Sequence, residues 1–219
     1  MSAGSDPALH RAFPALRRFA RPRPRLEACE LCSAVLGPHH QHLIEPVQRT
    51  LVCVCDACAI LFSQQGATRY KRVPRRVRVL RDLRITDGQW DALAIPIGLA
   101  FLFHSSAHGR VVAFYPSPAG ATESLLSLET WHDLAEANPL LREMESDVEA
   151  LLVNRVGYSP GSATPTHYLV PIDACYRLVG VIRKHWRGFS GGTELWQEVE
   201  QFSADLDSRA DAAVEVSRA

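Results

Sequence analysis

Cys29-Glu30-Leu31-Cys32 and Cys55-Asp56-Ala57-Cys58 frame the stretch that decides how this chain is read. Each Cys-x-x-Cys places two thiols on one tight turn, so both sulfurs aim at a common centre. Two such turns separated by 22 residues predict a four-thiolate metal site with Cys29, Cys32, Cys55 and Cys58 as ligands. Closed tetrahedral thiolate sites hold structural zinc, which is the leading cofactor; rubredoxin-type iron suits the same four sulfurs and is the alternative.

Between the pairs, Pro38-His39-His40-Gln41-His42-Leu43-Ile44-Glu45-Pro46 reads as a loop or hairpin. Arg49 to Cys55 is rich in β-formers, and Ala57 to Phe62 can begin a short helix. A knuckle, a hairpin and a helix after the second pair predict a small zinc-ribbon or treble-clef-like module over residues 29–72. Cys53 sits two residues before Cys55, on the same face of an extended strand. It is an alternative ligand, as are His39, His40 and His42, or else a small buried hydrophobe. A His-rich loop between two Cys pairs superficially looks like the zinc-stabilised type of HNH nuclease. That chemistry also needs an Asn, and the only asparagines, Asn138 and Asn154, lie outside the module. No catalytic residue is assigned, and the reading is of a non-enzymatic protein.

A chain of 219 residues, 47% of them hydrophobic, can bury a sizeable core. Its formal net charge of zero hides an asymmetry. Residues 1–84 hold fifteen Arg/Lys against six Asp/Glu, and residues 85–219 hold nine against eighteen. Such halves suit two modules, or a basic face meeting an acidic partner. Five of the six cysteines fall within thirty residues, which in a chain without a visible signal peptide favours metal over disulfides. Arg17-Arg18-Phe19 faintly echoes a twin-arginine signal, but Ala20-Arg21-Pro22-Arg23-Pro24-Arg25 follows where an apolar region is required. The longest apolar run, Leu93 to Phe103, contains Pro96 and Gly98 and is too short to span a bilayer. The expected compartment is the cytoplasm, with thiols kept reduced.

Residues 1–28 read as a disordered basic arm. The run 69–84 carries Arg72, Arg75, Arg76 and Arg78, candidates for contact with a partner or a polyanion, with Tyr70 as a stacking group. No recognition helix completes a nucleic-acid site, so a zinc-dependent regulator is the weaker alternative; docking onto the acidic half suits the run equally well. Residues 73–208 predict an α+β domain, and 209–219 a frayed tail. Within the domain, Thr86-Asp87-Gly88-Gln89 has the spacing of a capping box. Ile97 to Phe103 and Arg110 to Tyr115 predict a hairpin. Asn138-Pro139 predicts a helix to about Val153, with Met144, Val148, Leu151 and Leu152 inward. His167 to Pro171 predicts a strand, after which Asp173 is expected to cap a helix ending near Gly188, and Thr193 to open the last one. Cys175 falls on an apolar helix face.

Several strings together resemble a known family: the paired knuckles, Ile95-Pro96-Ile97 leading to Phe101, Tyr115 to Ser124, Asp147-Val148-Glu149-Ala150-Leu151-Leu152, and His167-Tyr168-Leu169-Val170-Pro171-Ile172-Asp173-Ala174-Cys175-Tyr176-Arg177-Leu178-Val179-Gly180. It looks like an uncharacterised, mainly actinobacterial family whose genes tend to lie beside those of nickel–iron hydrogenases. The resemblance covers about residues 29–206. It implies an accessory, maturation or electron-transfer role, with a hydrogenase component as the protein partner, and carries no established activity.

Overall fold

The computed structural model describes residues 27–63, 69–124, 128–158, 165–188 and 191–216. The basic arm expected over 1–28 therefore lies outside the described residues, apart from its last two positions. The architecture is α+β, with two antiparallel sheets.

The smaller sheet belongs to the cysteine-rich stretch. Its strands β1 (Gln41–Glu45), β2 (Thr50–Val54) and β3 (Lys71–Arg72) run in the order β2-β1-β3. The β1–β2 hairpin turns over Arg49, whose φ of 54° lies in the left-handed region. Helix α1 (Asp56–Phe62) follows β2 directly. Leu43, Val52 and Val54 point into a small core with Leu36, Ala59 and the buried cysteines Cys29 and Cys58.

The larger sheet carries β4 (Arg78–Val79), β5 (Leu99–Ser105), β6 (Arg110–Ser117), β7 (Gly120–Ser124), β8 (Glu149–Asn154) and β9 (Thr166–Pro171). Their order is β4-β9-β8-β5-β6-β7, with neighbours antiparallel throughout. The expected β5–β6 hairpin is present, with Phe101 opposite Phe114 and Ser105 opposite Arg110. Alternate residues of the central strands face opposite layers. Phe101, Phe103, Val112, Phe114, Leu152 and Val170 pack under α4 (Ile172–His185) and α5 (Thr193–Val216). Leu102, Val111, Ala113, Leu151, Val153 and Leu169 face the other way, toward Leu134 of α3 (Leu128–Ala137), Leu141, Met144 and Leu93. Helix α2 (Asp87–Ala92) opens on the predicted capping box, with Thr86 and Gln89 exchanging hydrogen bonds.

Coverage on both faces explains the main correction to the sequence reading. The helix expected from Asn138-Pro139 to about Val153 does not form. A 3-10 turn spans Pro139–Glu143 and ends at Met144, and Leu151 and Leu152 instead stand side by side on β8. A strand buried on both faces is apolar at successive positions, so Ala150-Leu151-Leu152-Val153 shows no period-2 pattern. Asp173 likewise does not cap α4. Pro171 occupies the N-cap position, and Asp173 lies within the first turn with its carboxylate turned to His42. Helix α4 ends at His185, before Gly188, and α5 continues to Val216, well into the stretch where fraying was expected. Tyr115 to Ser124 forms the end of β6, a tight turn and β7.

The two sheets are tied together. Ile44 of β1 is buried in the larger core, and Leu51 packs against it. Lys71 Nζ donates to Asp147 at 2.6 Å, while Asp147, buried at a φ of 71°, also accepts from the Ser106 amide. Lys71 and that amide hold the Asp147 carboxyl below the usual range although burial, the largest influence, acts the other way.

His167 on β9 is buried, and its Nε2 has no hydrogen-bond partner. Burial, reinforced by Arg155 and Arg84, brings its pKa down to about 4 from 6.5. The unfolded chain therefore takes up this proton first as pH falls. The stability contributed by the neutral ring is fully present above the unfolded value and is lost as pH drops from 6.5 toward 4. That loss amounts to roughly 3 kcal/mol over the whole window. In urea titrations at pH 7 and pH 4.5, His167→Gln is expected to lose less stability than the wild type by about 2 kcal/mol. Equal losses in the two proteins would contradict this role for the buried ring.

Candidate metal centre

The first knuckle is a tight turn closed by the backbone. The Cys29 amide donates to the Ala34 carbonyl and the Ser33 amide to the Cys29 carbonyl, both at 2.7 Å. Ser33 takes a φ of 62°, which folds the chain back so that Ala28 bridges Val35. Glu30 clamps this turn onto β2: its amide donates to the Cys53 carbonyl at 2.9 Å, and its carboxylate accepts from the Cys53 amide at 2.6 Å. The second knuckle is the start of α1. Cys55 is the N-cap residue, and its sulfur accepts from the Cys58 amide at 3.5 Å. Strand, cap and helix follow one another without a linker, giving the knuckle–hairpin–helix order of a treble-clef-like module.

These two turns bring Cys29, Cys32, Cys55 and Cys58 together, with their sulfurs all within 4.8 Å of one another. A tetrahedral ion with metal–sulfur bonds of about 2.3 Å requires sulfur–sulfur edges of about 3.8 Å. Cys32 Sγ and Cys55 Sγ lie 3.7 Å apart. Cys29 and Cys58 are buried, and Cys32 is exposed. The residues fit a four-coordinate thiophilic ion that is closed toward the core and approached by solvent on one side.

The electrostatics of the cluster suit a cation. Burial opposes ionisation of Cys29, but hydrogen bonds from the amides of Cys55, Leu31 and Cys32 outweigh it and bring the thiol down to about 6. Cys58 is pushed up to about 12 by burial and by hydrogen bonding with Cys32, Cys55 and Cys29. One thiolate forms readily and the last resists, because like charges crowd a partly dry site. A bound divalent ion reverses that balance and holds coordinating thiols deprotonated.

The alternative ligands fall elsewhere. Cys53 joins His40 and His42 in a separate group that shares no residue with the four-cysteine cluster. His39 belongs to neither group among the described residues; its carbonyl and that of His40 accept from Arg75. His42 Nδ1 lies 2.7 Å from Asp173 Oδ2, a pairing across 131 residues of sequence with no local signal to announce it.

The basic run is used largely within the molecule. Arg72 donates twice to Gln41 Oε1, and Arg76 reaches Glu149 and Glu145 at 2.7 and 2.9 Å. Arg69 pairs with Glu45 and lies over the Tyr70 ring. Arg78 is half-buried on β4, with its Nε lacking a hydrogen-bond partner. Cys175 is fully buried on α4, and burial raises its thiol well above the ordinary value. Trp90, Trp131 and Trp186 pack against the edges of the two larger cores. No helix among the described residues is long and apolar enough to cross a membrane.

Comparison with protein families matches residues 28–210 to a family of unknown function, DUF5947. No curated protein and no solved structure matches the chain.

Proposed function

The chain belongs to the DUF5947 family, and we propose that it is a cytoplasmic, non-enzymatic zinc-binding accessory protein that recognises a nickel–iron hydrogenase component. The observation that carries the metal-binding half is the convergence of four thiols within 4.8 Å of one another, with Cys32 and Cys55 3.7 Å apart. Zinc is the ion proposed, because all four positions are filled by protein sulfur and the cluster lies within a folding core. A closed site of this kind stabilises structure and leaves no position for substrate. Cys29, Cys32, Cys55 and Cys58 are its ligands, within a module spanning 29–72 that precedes an α+β domain over 73–208.

The partner half rests on the resemblance to a mainly actinobacterial family encoded beside hydrogenase genes. The surface is compatible with protein contact. Ile60 and Leu61 stand more than half exposed on α1, next to the metal cluster in sequence, and Val35 is exposed beside the first knuckle. A polyanion is a poorer partner, since Arg72, Arg75 and Arg76 already serve acceptors within the chain. The test is an affinity purification of the tagged full chain from its native host under reducing conditions. A hydrogenase subunit or maturation protein is expected to co-purify with the wild type and to be lost with Ile60→Asp/Leu61→Asp. Recovery of none from the wild type would overturn the partner assignment.

A further inference from the structure

A cavity of about 660 Å³ opens where the smaller sheet meets α4, with His40, His42, Cys53, Asp173, Tyr176 and Arg177 among its lining residues. We propose that His40, His42 and Cys53 bind a second metal ion on the wall of this cavity, a borderline transition-metal ion of the zinc type. The proposal is independent of the four-cysteine cluster and of any partner.

One nitrogen of each imidazole and the Cys53 sulfur all lie within 4.8 Å of one another, close enough to share one ion. The two imidazoles meet edge to face, with centroids 4.8 Å apart and planes at 72°. His40 is the more enclosed of the two imidazoles and has an unpaired ring nitrogen. Its side chain is only 9% exposed. Its Nδ1 lies 3.0 Å from the Gly37 carbonyl and 3.5 Å from a Glu27 carboxylate oxygen, both acceptors, so Nδ1 carries the hydrogen and, in the neutral ring, Nε2 carries the lone pair. Nε2 is buried and has no hydrogen-bond partner. An orphaned buried acceptor is destabilising, and a coordinated cation satisfies it.

His42 is prepared in the same sense. The Asp173 carboxylate, 2.7 Å from Nδ1, fixes the tautomer and the ring orientation. That leaves Nε2 as the coordinating nitrogen, in the carboxylate–histidine–metal arrangement found around bound ions. Cys53 adds the soft ligand from β2. Because β2 ends at Val54 and Cys55 already caps α1, the two cysteines serve different clusters. Two imidazoles and one thiolate suit zinc or copper and disfavour magnesium or calcium, which require oxygen donors. Three protein ligands leave a fourth position facing the cavity, open to water or an entering ligand. The four-cysteine site has no such opening.

The test uses the full chain with its first site filled by one equivalent of zinc, titrated with cobalt(II) under reducing, oxygen-free conditions. Released zinc is followed in parallel. The wild type is expected to take up one cobalt ion without losing zinc, with visible bands of a four-coordinate ion and near-ultraviolet thiolate-to-cobalt charge transfer. Cys53→Ser is expected to lose the charge-transfer band, and His40→Gln and His42→Gln to lose saturable uptake. Asp173→Asn is expected to weaken cobalt binding about 10- to 100-fold while all three ligands remain. Retention of the first zinc in each variant shows that the module is still folded. Cobalt that enters only by displacing zinc, or a spectrum unchanged in all four variants, would overturn the proposal.

Discussion

Replacing Cys29 and Cys58 together with serine is expected to remove one metal ion per chain and to unfold the cysteine-rich module. Among the described residues, and apart from these two, its buried core consists of Leu36, Leu43, Val52, Val54 and Ala59. So few side chains cannot hold a knuckle, a hairpin and a seven-residue helix against chain entropy unaided. A structural zinc ion contributes roughly 10–16 kcal/mol of apparent binding energy, comparable with the whole stability of a typical domain at about 5–15 kcal/mol. Serine removes the soft charged donor while nearly conserving shape, so the loss is one of coordination and not of packing. Hydrogen exchange should read the result by segment. Amides of residues 29–62 are expected to lose their protection, while those of β5, β8 and β9 keep most of theirs, because the larger sheet is covered by its own helices. Chelation of the wild type should give the same pattern. Unchanged protection at Cys53, Val54 and Ala59 would show that the hairpin stands without metal.

Arg76→Ala is expected to destabilise the protein by about 3–5 kcal/mol, the effect of stranding a buried charge. Glu149 opens β8 with its side chain fully buried, accepting from Arg76 Nε at 2.7 Å through one oxygen and from the Glu145 amide at 3.0 Å through the other. The arginine is half exposed and can find water; the carboxylate cannot, and it bears the cost. Glu149→Gln, which removes the charge and keeps the shape, should therefore cost less than Arg76→Ala. Arg49→Ala serves as a comparison, because Arg49 pairs with a Glu123 that is 36% exposed. Its effect on the ion pair should stay below about 1 kcal/mol. Urea denaturation of the three variants ranks them, and a loss under 1 kcal/mol for Arg76→Ala would show that Glu149 is compensated by other groups.

These two expectations mark where the sequence was informative and where it was not. The knuckles, the capping box at Thr86 and the β5–β6 hairpin were legible because each is built from residues close together in the chain. Turn geometry and local hydrogen bonds decide such features. Strand β8 falls where a helix is expected because Asn138-Pro139 has the form of a helix start and Met144, Val148, Leu151 and Leu152 can share one helical face. Burial on both faces also erased the alternation that marks a strand, and the local pattern yielded to the two layers around it. Asp173 looked like a helix cap because position and residue type both allow it. Its partner, His42, is brought to it only when the smaller sheet lies against α4. The basic run announced a charged surface, but whether its arginines face water or Glu145, Glu149 and Gln41 depends on tertiary contacts. The separation of Cys53 from Cys55 was hidden for a similar reason, since shared strand parity places them on one face until the strand ends at Val54.

Metal analysis with a visible spectrum decides whether the four cysteines hold one structural zinc ion. The protein is purified without oxygen and without added metal, the wild type beside Cys29→Ser/Cys58→Ser. Zinc, no visible colour, and one equivalent less in the double variant are expected. Iron with thiolate absorption would replace structural zinc with an electron-transfer centre, and identical metal content in the two proteins would contradict the assignment of these four cysteines.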